Sequence, residues 1–149
     1  GGIQQLLDAA SAQAAPGAEA KAITLTVEPT DLTARFDPKW TAEALYNLVD
    51  NAVKYTPAGG AVTLRAVGYE LFCRVDVTDT GPGIPESEQA RIFQRFYRSP
   101  SASEAEGVGI GLYLARQIAA GQGGYLKVSS RPGEGSTFSL FLPRAEERT

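Results

Sequence analysis

Residues 71–79, Leu-Phe-Cys-Arg-Val-Asp-Val-Thr-Asp, constrain this chain more than any other stretch. Leu71, Cys73, Val75 and Val77 alternate with Phe72, Arg74, Asp76 and Thr78, the period of a strand with one apolar face. Val62 to Val67 repeats the pattern, and Gly68-Tyr69-Glu70 between the two runs predicts a hairpin. Asp79 keeps the apolar parity at the strand's end, an odd place for a carboxylate.

The apolar face of such a hairpin needs cover, and the flanking segments supply it. Leu6, Leu7, Ala10 and Ala14 fall at helical spacing within Ile3 to Ala14, where Pro16-Gly17 predicts a stop. Asp37 reads as an N-cap with Pro38 at the first helical position. That helix runs to about Tyr55, buries Ala44, Leu45, Leu48, Val49 and Ala52, and ends in Thr56-Pro57-Ala58-Gly59-Gly60. Further strands are expected at 23–27, 32–36, 125–130 and 136–142, and helices over 86–97 and 109–120. Ser99 to Gly107 is small, polar and acidic, the composition of a mobile loop. Helices and strands mix without strict βαβ alternation, which predicts an α+β two-layer sandwich in one domain, residues 3–149.

The chain has no histidine, so imidazole chemistry is excluded and zinc loses its commonest nitrogen ligand. A single cysteine, Cys73, rules out an intrachain disulfide and fits a reducing compartment. A net charge of −3 with scattered basic residues argues against nucleic acid. No apolar run suggests a membrane span or signal peptide. Any catalysis must therefore run on carboxylates, amides, cations and backbone.

Four segments carry that chemistry. In Asn47-Leu48-Val49-Asp50-Asn51-Ala52-Val53-Lys54-Tyr55, Asn47 and Asn51 share a helix face with Lys54 close by. An amide oxygen suits Mg²⁺ and a lysine suits phosphate, although two exposed asparagines would look the same. In Asp79-Thr80-Gly81-Pro82-Gly83-Ile84 a carboxylate precedes glycines that let backbone come close. It suits the exocyclic amine of adenine, where guanine would present a carbonyl; an Asx-capped turn is the plainer alternative. Gly107-Val108-Gly109-Ile110-Gly111-Leu112 leads into a helix, and its spacing is neither a dinucleotide fingerprint nor a Walker A run. Gly133-Glu134-Gly135-Ser136-Thr137-Phe138 is a glycine turn into the last strand.

In this order the four resemble the N, G1, G2 and G3 boxes of the catalytic domain of sensor histidine kinases. Ile92-Phe93-Gln94-Arg95-Phe96-Tyr97-Arg98 between them resembles the kinase-type F box. The wider superfamily includes gyrase, heat-shock chaperone and mismatch-repair ATPases. The resemblance covers about Ile23 to Pro143 and implies a Bergerat-type fold, a mixed sheet covered on one face by helices. It implies ATP and Mg²⁺ as ligands, with Asn51 on the metal and Asp79 on the adenine amine. Asn47 and Lys54 would lie near the phosphates, with Arg95 reaching the γ-phosphate or, as one stripe with Arg91 and Arg98, facing an acidic partner helix or solvent. Gly81 and Gly83 would border the base and Tyr55 would flank the nucleotide. Gly107, Gly109 and Gly111 would form the lid hinge and phosphate-facing backbone, Leu112 would join them in binding the nucleotide, and Thr137 would hold adenine through water. Phe93 and Phe96 read as core packing at the lid's root.

The implied activity is γ-phosphoryl transfer to a histidine on a separate dimerisation and phosphoacceptor domain, with a response regulator downstream. The piece is expected to be monomeric and free of membrane contact, within a homodimeric, membrane-anchored kinase facing the cytoplasm. The alternatives are an ATP hydrolase of the same superfamily or a non-catalytic nucleotide-binding module. Hydrolytic members carry a general-base glutamate where this chain has Asn47. Gln122-Gly123-Gly124 stands where many members have His-Gly-Gly, and reads as a tolerated surface change.

Overall fold

The computed structural model describes residues 1–89, 91–94 and 111–144. Helix α1 (Ile3–Ala20) leads to strand β1 (Thr24–Val27), helix α2 (Pro38–Tyr55) and the hairpin β2 (Ala61–Gly68) and β3 (Phe72–Asp79). A short helix α3 (Glu86–Gln89), helix α4 (Gly111–Gly121) and strands β4 (Tyr125–Ser130) and β5 (Ser136–Pro143) follow. The five strands form one sheet in the order β1-β2-β3-β5-β4. β1 is parallel to β2, and the other neighbours are antiparallel. The helices pack on one face, so the expected mixed two-layer α+β architecture is the one observed.

Cys73, Val75 and Val77 of β3, and Phe138, Leu140 and Leu142 of β5, point into this core and are all buried. α2 covers them with Ala44, Leu45, Leu48, Val49 and Ala52, which recur at helical spacing. The predicted cap is present: the Asp37 side chain accepts from Trp40 N at 2.9 Å, with Pro38 opening the helix. At the other end, Lys21 donates to the carbonyls of Val53 (2.9 Å) and Lys54, placing a cation where α2 has spare acceptors.

Several local expectations are overturned by long-range packing. Pro16-Gly17 does not stop α1, which continues to Ala20. The buried stripe Ile3, Leu7, Ala10, Ala14, Ala18 runs through the proline, so docking on the core outweighs its missing N–H. Residues 32–36 form no strand beyond one bridge, Gly2 to Thr33, because their hydrogen bonds are divided between two elements. Leu32 O and Ala34 N bond the start of the chain, and Arg35 N bonds Pro143 O. Leu71 lies outside β3 and is 73% exposed. Gln122 is no free surface residue: its amide accepts from Asp37 N and sits 2.8 Å from Thr41 Oγ1, clipping the end of α4 to the start of α2. Of the helix expected over 86–97, four residues are helical and 91–94 form a turn.

Candidate nucleotide site

The site is built along α2. Its C-terminal end meets the end of β3: the point where a Cβ on Gly81 would stand is 3.0 Å from Asp79 Oδ1, 3.2 Å from Tyr55 O and 3.4 Å from Thr56 Oγ1. Two turns back, Asn47 faces the N-terminus of α4, 3.8 Å from the corresponding point on Gly111. Asn47 to Tyr55 is eight residues, roughly 12 Å along the axis at the helical rise, and half-buried Asn51 lies between them.

Asp79 is only 8% exposed. Burial pushes its carboxyl above the ordinary carboxylate range, and the backbone N–H groups of Gly81 and Ser136 pull the other way. Gly81 N donates to Asp79 Oδ1 at 2.9 Å. Among the described residues no cation forms a salt bridge with it.

The glycine loop after Asp79 is held by the β4–β5 turn. Gly83 has φ +79, and a Cβ there would come within 2.1 Å of Arg131 O. Gly135 has φ +81 and lies equally tight on Asp79 O, at 2.1 Å, so both positions admit only glycine. Ile84 N donates to Ser130 Oγ (2.7 Å), which also bonds Gly135 O (2.9 Å) and Ser136 Oγ (2.7 Å). Gln89 Nε2 ties α3 to the same point through Ile84 O and Ser130 O, at 2.8 and 3.0 Å.

One assignment changes. Thr137 pairs with Thr78 on the outer face of the sheet, the two hydroxyls 3.0 Å apart, opposite to the side on which Asp79 points. The hydroxyl on the inner side is that of Ser136, which is buried and pairs directly with Asp79. The strand parity of Phe138, Leu140 and Leu142 was the signal that could have found it. Lys54 is exposed and 3.1 Å from Asp50, at the edge of the asparagine face. Leu112 is partly buried against the core, and Phe93 packs edge-on to Phe138 with centroids 6.1 Å apart. Arg95, Phe96, Arg98, Gly107 and Gly109 lie outside the described residues.

Among the described residues, two buried polar atoms in this region have no hydrogen-bond partner, Asn47 Nδ2 and Thr56 Oγ1. An orphaned donor at one end and a desolvated acceptor at the other fit a polar ligand laid along α2. Among the described residues no three His, Cys, Asp or Glu side chains gather as a metal-binding group. An amide such as that of Asn51 suits Mg²⁺ when phosphates and water supply the other ligands.

The family model described as histidine kinase-, DNA gyrase B-, and HSP90-like ATPase matches residues 36–146. The adaptive-response sensory kinase SasA of Synechococcus sp. (strain JA-3-3Ab) is 42% identical over 131 residues, 86% of this chain and 35% of that protein. The chain thus spans about a third of the length of that relative. The mycobacterial sensor histidine kinase MprB superposes with a TM-score of 0.86 at 29% identity, over 98% of this chain and 99% of that one. Full-length ShkA, solved in complex with AMPPNP, gives a TM-score of 0.84 at 31% identity, over 99% of this chain and 31% of that one.

Proposed function

This chain belongs to the histidine kinase-, DNA gyrase B- and HSP90-like ATPase family, and on that premise we propose that it binds Mg·ATP along α2 and donates the γ-phosphoryl group to a histidine on a separate domain. The observation that carries this reading is the polarity of α2. A desolvated carboxylate without a cation among the described residues stands at one end, and a glycine-led helix N-terminus stands against Asn47 at the other. Full-length ShkA was solved in complex with AMPPNP, an ATP analogue, and 99% of this chain superposes on 31% of it.

Asp79 accepts the amine of adenine, and its two backbone donors hold the carboxylate in that orientation. Gly81 and Gly83 let the backbone approach the base, and Tyr55 flanks it. Asn47 and Lys54 lie toward the phosphates, where the N-terminus of α4 adds favourable dipole and N–H groups. Mg²⁺ bound with the phosphates would neutralise their charge, and Asn51 is the side chain to hold it. Asn47 is an amide without usable basicity, so water beside the γ-phosphate finds no base and bound ATP persists until a histidine is presented. Positioning and charge neutralisation are what such a transfer needs, and this chain carries no histidine of its own. The acceptor stands on a dimerisation domain, with a response regulator after it. The intact kinase is then a homodimer, membrane-anchored with this domain in the cytoplasm; no helix among the described residues is long and apolar enough to cross a membrane.

Labelled ATP tests the reading. The chain alone should stay free of acid-labile phosphate and should mark an added dimerisation domain. Stable labelling of the isolated chain, or phosphate release at about 1 s⁻¹ or faster, would replace the kinase by another enzyme.

A further inference from the structure

We propose that the outer face of the sheet docks a partner protein through an acidic segment that carries an aromatic anchor. The helices and the candidate nucleotide site lie on the other face, so this surface does not depend on the ATP reading. An antiparallel sheet with one solvated face ordinarily shows polar side chains there. Toward the Asp79 end it does, where Thr63, Thr78, Thr137 and Ser129 form one cross-strand row. Toward the other end the row is Val67, Arg74, Phe141 and Tyr125, with Phe72 beyond it.

That end is an aromatic ledge. Tyr125 stacks on Phe141 with ring centroids 4.3 Å apart, and Phe72 meets the two edge-on at 5.6 and 6.2 Å. Tyr69 joins from the hairpin turn, its ring centroid 5.4 Å from the Arg74 guanidinium. Tyr69, Leu71 and Tyr125 are all exposed. Rings that hold one another in place while open to water lose little freedom on binding, and tyrosine and arginine are the usual anchors of an interface.

Charge selects the partner. The outer strand positions carry Arg65, Arg74 and Lys127 against one carboxylate, Asp76, which is buried and lies 2.8 Å from Arg74. The Arg65 side chain is 52% exposed and no nearer than 3.9 Å to Asp76. Lys127 is exposed and forms no salt bridge among the described residues. Arg65, Asp76, Ser139 and Lys127 make up the row beside the ledge, so two outward cations stand three strand spacings apart, about 14 Å. An extended peptide crossing the strands covers that span in roughly four residues. Carboxylates at i and i+4 would meet the two cations, and an aromatic side chain between them can reach the ledge one row away. Two outward cations fall short of the cluster of about four to eight that holds an anionic membrane, and the whole chain carries a charge of −3. A second copy laid face to face would set cations against cations.

The probe is the synthetic peptide Asp-Glu-Ser-Phe-Ser-Glu-Asp, titrated into the isotope-labelled chain and followed by NMR. Backbone amide shifts should move at Arg65, Arg74, Tyr125 and Lys127 and stay still along α2. Binding should weaken with added salt, and by about tenfold when amides replace the acids or serine replaces the phenylalanine. Lys127→Glu combined with Arg65→Gln should weaken it as much while ADP affinity and melting temperature stay with the parent. Tyr125→Ser should do the same; if it fails to fold, Leu71→Ser at the exposed edge of the ledge carries the comparison. No shifts up to millimolar peptide, shifts along α2 instead, or equal binding of the amide peptide overturns the proposal. So does binding to phosphatidylserine vesicles without binding to the peptide, or a dimer in sedimentation that Tyr125→Ser abolishes without peptide binding. ADP titrated into the same samples tests the ATP reading separately, and its failure would leave this face untouched.

Discussion

Two buried aspartates lie three residues apart on β3 and face opposite sides of the sheet. Asp76, 4% exposed on the outer face, has cationic and hydroxyl partners within the fold. Arg74 Nε is 2.8 Å from its Oδ1, Ser139 Oγ donates to the same oxygen at 2.7 Å, and Arg65 stands 3.9 Å from Oδ2. Asp79, 8% exposed on the helix side, receives backbone N–H groups and, among the described residues, no cation. The same residue type on the same strand is thus a closed structural pair in one place and an open acceptor in the other. A buried carboxylate whose charge the protein already matches has nothing left for a ligand, and one that is merely desolvated does.

The largest expected effect lies on the closed side. Asp76→Ala removes the carboxylate beside Arg74, which keeps Tyr69, and should cost about 3 kcal/mol of unfolding free energy, the lower end for a broken buried pair, because the Arg74 side chain keeps 24% exposure. Urea denaturation measures it, and ADP affinity should not move. A variant as stable as the parent would mean that Asp76 is not structurally committed.

On the open side the effect moves from stability to binding. On the proposed reading, Asp79→Asn turns part of the acceptor into a donor facing the adenine amine and should cost about 1–3 kcal/mol in ADP affinity. Its nucleotide-free melting temperature at neutral pH should be equal or higher, because an ionised group disfavoured by burial has gone. If the two aspartate variants lose stability and binding in parallel, the distinction between the faces fails.

Acidity should separate them further. The folded-state pKa of Asp79 is raised, so between the ordinary carboxylate value and the raised one the folded state binds more protons than the unfolded. The contribution of Asp79 to stability is therefore present at low pH and lost as pH rises through that window. Binding runs the other way, since the amine needs the ionised acceptor. ADP affinity should fall on acidification from above the usual carboxylate range, and Asp79→Asn should flatten that part of the profile. A parent profile matching that of the variant would remove Asp79 from the base site.

The smallest effect is expected at Asn51. Mg²⁺ keeps water and phosphate oxygens as ligands, so losing one amide costs on the order of 1 kcal/mol. In Asn51→Ala the gain in ATP affinity on adding Mg²⁺ should shrink while affinity without metal stays. An equal gain in both proteins would place the metal elsewhere.

Much of the candidate site was legible in the sequence because its residues are grouped by local rules. Asn47 and Asn51 share a face by helical period alone, and Asp79 betrays itself as a carboxylate on apolar parity before glycines. The same period-2 rule would have chosen Ser136 over Thr137, since Phe138 two residues on is a core residue. The hairpin, the capped start of α2 and the last two strands likewise follow from alternation, capping and turn chemistry within a few residues.

Tertiary structure decided what depends on partners far along the chain. Pro16 sits inside a helix because Ala14 and Ala18 dock on the core, a gain that local propensity does not contain. Gln122 matters because α4 brings it to Asp37 and Thr41, more than 80 residues away. Thr56 reads in the sequence as the polar end of a helix. In the fold its hydroxyl is buried beside Gly81 and left unpaired, because hydrogen-bond satisfaction belongs to the folded arrangement and not to the residue.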